Sequence, residues 1–149
     1  MREILFRGKR MDNGKWVYGF FVNLPLVHIR RTDALITSDK TGYSYTVDIA
    51  TVGQYTGLKD KNGERIFEGD IVKAHYRNTA KADFVEQVVF HNGCFTALWI
   101  MAGGGKMLAP LADGVPHLPQ DKSPYMEWCE VIGNIHDNPE LLKGGATDG

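Results

Sequence analysis

The residues with the most obvious capacity for chemistry are two carboxylates that flank a glycine. Glu68-Gly69-Asp70 precedes His75 by a few positions, and two acids beside a histidine can act as general acid and base. The same order of residues also suits a tight reversal into a strand, in which the aspartate accepts backbone N–H groups. We favour the structural interpretation, in which Asp70 caps the turn.

The remaining reactive side chains do not form a recognisable motif. The five histidines are scattered, with no H-x-H or H-x-x-x-H spacing that would favour a metal site: His28, His75, His91, His117 and His136. The chain lacks the G-x-S-x-G sequence of a serine hydrolase, and the run 103–106 lacks the spacing of a phosphate-binding loop. We therefore predict no catalytic residues, no metal, no cofactor, no small-molecule substrate and a non-enzymatic protein.

Two cysteines are too few for a disulfide framework. Cys94 and Cys129 have no C-x-x-C spacing, so they predict two free thiols buried on strands. Cys94 directly follows an expected hairpin turn, which leaves an exposed thiol open as the alternative.

A basic hairpin near the N-terminus is the candidate nucleic-acid interface. Residues 1–31 hold seven Lys and Arg against two Asp and Glu, giving +5, and the remainder holds ten against sixteen, giving −6. The four candidate residues interleave with aromatic side chains, a combination that can follow phosphates and stack bases: Arg7, Lys9, Arg10 and Lys15. The alternation of Phe6, Trp16, Tyr18 and Phe20 instead predicts that these aromatic rings face the core.

Three Asn-Gly pairs predict the elements that would position these residues. Asn13-Gly14, Asn62-Gly63 and Asn92-Gly93 each separate strand-like runs, and Asn-Gly is the preferred two-residue hairpin loop because both positions need positive φ. We predict a mainly β fold of antiparallel hairpins with additional strands. The step Gly69-Asp70-Ile71-Val72 into a strand is typical of small SH3-like barrels, so we expect an SH3-like barrel part. One short C-terminal helix should follow Asn138-Pro139.

Length and composition predict one soluble domain over residues 1–143 with a flexible tail over 144–149. The chain has 149 residues, 43% of them hydrophobic, and its N-terminus lacks the long apolar segment of a signal peptide, so we expect a cytoplasmic protein. The stretch 102–124 contains three consecutive glycines and four prolines. Loops of this length are either mobile or functional, and both alternatives stay open.

Three ordered blocks of the sequence resemble the YopX family of phage, prophage and mobile-element proteins. They are Phe6–Lys9 followed by Trp16–Gly19, then residues 54–73, and finally residues 131–142. The resemblance implies a mainly β fold and no settled activity, and His136 stands where the family usually has an aromatic residue. The positions that carry it predict structural roles: Tyr55, Gly57, Leu58, Asn62, Gly63, Glu68, Gly69, Asp70, Gly133 and Asn134.

The favoured hypothesis is a non-enzymatic accessory protein of a phage or mobile element, in the cytoplasm of its host. It would act by binding another protein or by self-association, since no catalytic group stands out and long Gly/Pro loops often carry recognition. The alternative is a small nucleic-acid-binding β-barrel that uses the basic N-terminal hairpin.

Overall fold

The computed structural model of the chain describes residues 2–22, 33–77, 83–91, 93–100, 106–110 and 125–143. They form two antiparallel sheets and two short 3₁₀ turns, so the prediction of a mainly β fold is confirmed. The strands are β1 (Phe6–Lys9), β2 (Trp16–Val22), β3 (Asp33–Ser38), β4 (Ser44–Asp48), β5 (Gly53–Lys59), β6 (Arg65–Phe67), β7 (Asp70–Arg77), β8 (Asp83–His91), β9 (Cys94–Ile100), β10 (Lys106–Pro110) and β11 (Tyr125–Asn134). Among the described residues, no helix is long and apolar enough to cross a bilayer. The SH3-like barrel stays a prediction.

The chain divides into two compact units, residues 1–57 and residues 58–149. Each has its own cluster of buried apolar side chains. The single domain over residues 1–143 stays a prediction, and the units are described one at a time.

All three expected hairpins are present, with different loops. The first has a four-residue turn, because Arg10 N donates to Lys15 O at 2.9 Å and encloses residues 11–14. The second encloses three residues, since Asp60 N donates to Glu64 O at 2.8 Å, with Gly63 at φ 82°. Only the third has the expected two-residue loop: His91 pairs with Cys94, and Gly93 has φ 80°, while Asn92 lies outside the described residues.

The first unit is a sheet in the order β4-β3-β2-β1-β5. Alternating residues of its strands point to one side and bury a core of Val17, Ala34, Ile36 and Val47. The first hairpin also reaches β4, where Arg10 bridges Val47 and Met11 N donates to Thr46 O at 2.9 Å. These bonds occupy backbone groups of β4 that an edge strand would otherwise leave unpaired.

Gly19 lies where the backbone of β3 comes close to β2. A Cβ on Gly19 would lie 1.9 Å from the backbone oxygen of Thr37, and no side chain fits in that space. β2 pairs with β1 over residues 16–19 and with β3 over residues 19–22, so Gly19 is the residue that both ladders share, and it permits close approach of the β3 backbone.

The second unit contains the five-stranded sheet β10-β9-β8-β7-β11. Its buried core is formed by side chains of β6, β7, β8, β9 and β11: Ile66, Val72, Ala74, Tyr76, Phe84, Val88, Ala97, Met126 and Cys129. On β8 the residues that face this core are Phe84, Glu86 and Val88. Val85 and Val89 alternate with these residues and are half-buried, and Phe90 near the end of the strand is 56% exposed.

Two C-terminal expectations are only partly met. The predicted short helix is a 3₁₀ turn over Pro139–Leu142, and the side chain of Asn138 makes no capping bond to it. Within the stretch 102–124, residues 106–110 form β10, which pairs with β9 and is therefore regular structure rather than loop. The rest of that stretch and the tail 144–149 lie outside the described residues.

Candidate binding surface

The outer side of β2 presents two aromatic rings to solvent. Tyr18 is 38% exposed and Phe20 is 55% exposed, whereas the alternate residues Val17 and Gly19 are buried. The sequence-based expectation that Tyr18 and Phe20 pack inward is therefore wrong. The physical reason is that Val17 and Phe21 fill the core from the other side of the strand, and a period of two leaves the even positions outside.

Two of the four candidate basic residues share this side of the sheet. Arg7 pairs across the strands with Tyr18, and Lys9 pairs with Trp16. The guanidinium carbon of Arg7 lies 4.7 Å from the centre of the Trp16 ring, and Lys9 Nζ lies 5.5 Å from it. Because Arg7 is only 6% exposed, Lys9 is the more accessible cation here.

The other two basic residues are placed differently. Arg10 follows Lys9 and so points to the opposite side, where its guanidinium lies 4.1 Å from the Tyr45 ring centre and forms an ion pair with Asp12 at 2.5 Å. The hydrogen bond between these two side chains raises the pKa of Arg10 and lowers the pKa of Asp12. Lys15 is exposed directly after the hairpin turn. The four residues are therefore not grouped on one side of the sheet.

Phe20 belongs to a row of cross-strand neighbours that ends in two hydroxyl groups. Phe20 pairs with Thr37, which pairs with Ser44, and the two hydroxyl oxygens lie 2.8 Å apart. We call the surface formed by Lys9, Trp16, Tyr18, Phe20, Thr37 and Ser44 the aromatic face. It combines aromatic rings, a cation and hydroxyl groups on one side of the sheet.

The positions that carry the family resemblance mostly build turns in the second unit. Asp60 Oδ1 accepts from Asn62 N and Glu64 N, and its Oδ2 accepts from Val131 N, each at 2.9 Å. Gly63 has positive φ in this turn, and the Asn62 amide donates to Glu130 Oε1 at 3.2 Å. One buried carboxylate therefore holds the second hairpin against β11.

A second turn precedes β7 and confirms the interpretation of Asp70 as a cap. Asp70 is 1% exposed, and its Oδ2 accepts from Phe67 N at 2.7 Å. Gly69 has φ 89°, donates to Val88 O and accepts from Ile135 N, each at 2.9 Å. Glu68 beside them is half-buried. Asp70 and His75 lie five residues apart on β7, about 17 Å along the strand, so they form no acid/base set.

The third turn follows β11. Asn134 Oδ1 accepts from His136 N and Asp137 N, at 3.0 and 2.9 Å. A Cβ on Gly133 would lie 2.6 Å from Asn138 Oδ1, so the glycine leaves room for that amide. The remaining three positions fall on β5: Tyr55 is buried, Gly57 has φ 87°, and Leu58 packs against the second core.

We expect Asp60→Ala to lower the free energy of unfolding of the second unit by about 3 kcal/mol, because three backbone N–H groups lose their acceptor at once. Urea unfolding of the wild type and the variant measures this difference. Asp12→Ala is the matched control, since it removes an exposed carboxylate from a turn and should leave the unfolding midpoint unchanged. Equal behaviour of the two variants would contradict the structural role of Asp60.

A buried carboxyl group that the sequence did not reveal lies in the core of the second unit. Glu86 is 3% exposed, and the Tyr76 hydroxyl lies 2.8 and 2.7 Å from its two oxygens. Burial raises the pKa of Glu86 to about 7, although the Tyr76 hydrogen bond acts in the opposite direction. Burial, and then the charge of Glu86, raises the pKa of Tyr76. The pair is enclosed among apolar side chains, which suits a structural role.

The two thiols differ in exposure. Cys129 is buried as expected, and burial raises its pKa to about 12, so it remains a protonated thiol near neutral pH. Cys94 is exposed at the start of β9, so the alternative kept open for it is the correct one. Its Sγ lies 3.4 Å from His91 O.

The outer side of β7 and β11 holds a cluster of charged residues around a stacked pair of rings. His75 lies parallel to Trp128 with ring centres 5.1 Å apart, and Lys61 Nζ lies 4.1 Å from the Trp128 ring centre. His75 Nδ1 is 2.9 Å from Asp83, and Nε2 is 3.6 Å from Glu127. In the part of the chain that the structure describes, no three His, Cys, Asp or Glu side chains are grouped to hold a metal ion.

The fold and this geometry define a mainly β protein whose turns are stabilised by buried carboxylates and which exposes aromatic rings on the outer side of β2. Over residues 5–143 the chain matches the family described as YopX protein, so it belongs to the YopX family. The crystal structure of protein EF1440 from Enterococcus faecalis is similar, with a TM-score of 0.49 and 23% identity, covering 95% of this chain and 99% of that chain. No curated protein matches the chain at a significant level.

Proposed function

We propose that this YopX-family chain is a non-enzymatic accessory protein of a phage or mobile element, and that it acts by binding through the aromatic face. The observation that carries the proposal is the exposure of Tyr18 and Phe20 side by side on a strand whose other side is packed. The resemblance to proteins of phages and mobile elements supports the origin, and the host cytoplasm is the corresponding location.

The energetics favour an occupant on this face. Burying one large apolar side chain contributes about 1.5–3 kcal/mol, and aromatic residues dominate the binding energy of many interfaces. Tyr18 lies in the ladder with β1 and Phe20 lies in the ladder with β3, so paired backbone positions both rings before any partner arrives. Such preorganisation lowers the entropy cost of binding.

The environments of the titratable groups support binding rather than chemistry. Asp60 and Asp70 are used as acceptors for backbone N–H groups, and Glu86 receives the Tyr76 hydroxyl inside the core. The raised pKa of Cys129 opposes thiolate formation. His75 stacks on Trp128 and contacts two carboxylates at the surface, an arrangement that surface ion pairs commonly make.

Site-specific photo-crosslinking in cells that contain the element tests this proposal. A photoreactive phenylalanine analogue replaces Phe20 in one variant and Phe90 in the control, because Phe90 is equally exposed, at 56%, but belongs to the second unit. We expect a discrete crosslinked product from position 20, whether it contains protein, a second copy or nucleic acid, and none from position 90. Equal products from both positions, or none from position 20, would contradict the proposal.

A further inference from the structure

The Asn-Gly pairs that shape the hairpins also carry a reactive amide. Asparagine is among the chemically labile residues, and a following glycine leaves room for its own backbone nitrogen to attack the asparagine side chain. We propose that Asn13 is a deamidation site of this chain and that the fold protects Asn62, which also precedes a glycine and is also exposed. The inference goes beyond the proposed function, because it needs no partner and rests on contacts within two turns.

The reaction at Asn13 consumes only water. Gly14 N attacks the Cγ atom of Asn13, and the new N–Cγ bond closes a succinimide ring. The bond from Cγ to Nδ2 breaks, and ammonia leaves with the proton that Gly14 N loses. Water then opens the ring at either of its two carbonyl groups. One opening gives aspartate, and the other gives isoaspartate, in which the main chain runs through Cγ.

The side-chain carbonyl of Asn13 is polarised for this attack. Its Oδ1 accepts from Lys15 N at 2.9 Å, so an N–H group already points at the oxygen on which negative charge develops. The neighbouring carboxylate of Asp12 is paired with the guanidinium of Arg10, which offsets its charge. Residues 11–15 are all exposed, so water reaches the succinimide once it has formed.

The contacts of Asn62 oppose the same reaction. Its Nδ2, the atom that must leave, donates to Glu130 Oε1 at 3.2 Å. Asn62 N and Glu64 N each donate to Asp60 Oδ1 at 2.9 Å, which fixes the backbone on both sides of the attacking nitrogen. The carboxylates of Asp60 and Glu130 disfavour negative charge on the Asn62 side chain, although Lys61 lies 3.5 Å from Glu130 and offsets part of this effect.

One contact opposes the attack in both turns alike. Gly14 N donates to Arg10 O at 2.9 Å, and Gly63 N donates to Asp60 O at 3.0 Å, so each attacking nitrogen must first release a backbone oxygen. Because this cost is common to both turns, the contacts of the two asparagine side chains decide which one reacts faster. Asn92 of the third pair lies outside the described residues and is not part of the comparison.

Deamidation of Asn13 should loosen the first hairpin. Isoaspartate adds one carbon to the main chain of the turn that the bond from Arg10 N to Lys15 O closes. The same turn is bonded to β4 through Met11 N and Thr46 O. Aged protein should therefore unfold at a lower temperature than fresh protein. Asn13→Ser should lose less with age, because serine supplies an oxygen for Lys15 N and has no amide to lose.

Peptide mass spectrometry of the full chain, incubated at mildly alkaline pH in heavy-oxygen water, tests the inference. Peptides that deamidate during the incubation gain a heavy oxygen atom and are counted. In the folded chain we expect Asn13 to convert about tenfold faster than Asn62, because only Asn62 must break a hydrogen bond to a charged group. In guanidinium chloride the two sites should convert at similar rates. Glu130→Ala should accelerate conversion of Asn62 and leave that of Asn13 unchanged.

Three results would overturn the inference. They are equal conversion of the two sites in the folded chain, no conversion of Asn13 in the folded chain, and a difference that persists unchanged in guanidinium chloride. In the last case the local sequence, and not the contacts of the turns, would set the rates. Circular dichroism confirms that Glu130→Ala is folded. Should it unfold, Glu130→Gln replaces it and should accelerate Asn62 by a smaller factor, since it removes the charge and keeps an acceptor.

Discussion

Replacing Glu86 with glutamine should raise the free energy of unfolding of the second unit by about 3 kcal/mol at pH 8 and should leave it nearly unchanged at pH 4.5. Burial holds the pKa of Glu86 at about 7, compared with its ordinary value of 4.5, and one pKa unit corresponds to about 1.4 kcal/mol. Glutamine keeps an oxygen for the Tyr76 hydroxyl and removes the charge that must otherwise be buried.

The direction of the pH dependence follows from the raised pKa. The folded state binds the proton of Glu86 more tightly than the unfolded state, so this group contributes its full stability below about pH 4.5. That contribution to the free energy of unfolding is lost as the pH rises through about 7. Above this pH the contribution of Glu86 no longer changes with pH. Urea unfolding across this range should show the decline in the wild type and its absence in Glu86→Gln.

The control for this experiment is Glu64→Gln, which neutralises an exposed carboxylate in the turn of the second hairpin. It should keep the decline of the wild type. Parallel stability curves for the wild type and Glu86→Gln would mean that Glu86 is solvated, contrary to its position among the core residues.

Gly19→Ala should destabilise the first unit by about 3 kcal/mol or more, because the added methyl group meets backbone that cannot turn aside. The Cβ would lie 1.9 Å from Thr37 O, 2.8 Å from Thr37 C and 2.9 Å from Asp39 N. Relief requires β2 and β3 to separate, and that would break the ladder that holds the aromatic face flat.

Gly14→Ala is the matched control, because Gly14 has φ 70° and open space around its Cα. Its cost should be about 1–2 kcal/mol, the strain of an alanine in the left-handed region. Thermal unfolding midpoints of the two variants measure the difference. A Gly19→Ala variant that does not fold would also agree with the larger destabilisation expected for it. Equal midpoints would contradict the close approach of β2 and β3.

Local turn chemistry made the hairpins predictable from sequence. Gly14, Gly63 and Gly93 all adopt positive φ, as Asn-Gly pairs require. Loop length was not predictable in the same way, because it depends on which flanking residues pair. Backbone hydrogen bonds set the loop length, from Arg10 N to Lys15 O in the first hairpin and from Asp60 N to Glu64 O in the second. No local sequence motif marks these pairs.

The side of each strand that faces the core was the weakest part of the prediction. On β8, the apolar residues at 85, 88, 89 and 90 do not alternate, and the true core side includes a glutamate. Buried carboxyl groups are rare, so the polarity of Glu86 predicts an exposed side chain. Its burial is explained by the hydrogen bond that it accepts from Tyr76 of β7. On β2 both sides carry aromatic rings, so the pattern could not show which rings are exposed.

The roles of the family-associated positions were predictable because they use short-range chemistry. Asp70 Oδ2 accepts from the backbone N–H three residues earlier. Asn134 Oδ1 accepts from His136 N and Asp137 N, two and three residues later. Asp60 was missed, since one of its three donors, Val131 N, lies far away in sequence. The aromatic face likewise depends on strand register, which brings Phe20, Thr37 and Ser44 into one row.

The most direct measurement of binding through the aromatic face is the yield of crosslinked product from a photoreactive side chain at position 20 compared with position 90. Both positions hold exposed phenylalanines, so solvent exposure alone would give equal yields. Binding through Tyr18 and Phe20 predicts a discrete product from position 20 only, reduced when Tyr18 is also changed to alanine. Equal yields, or a product that survives Tyr18→Ala undiminished, would contradict it.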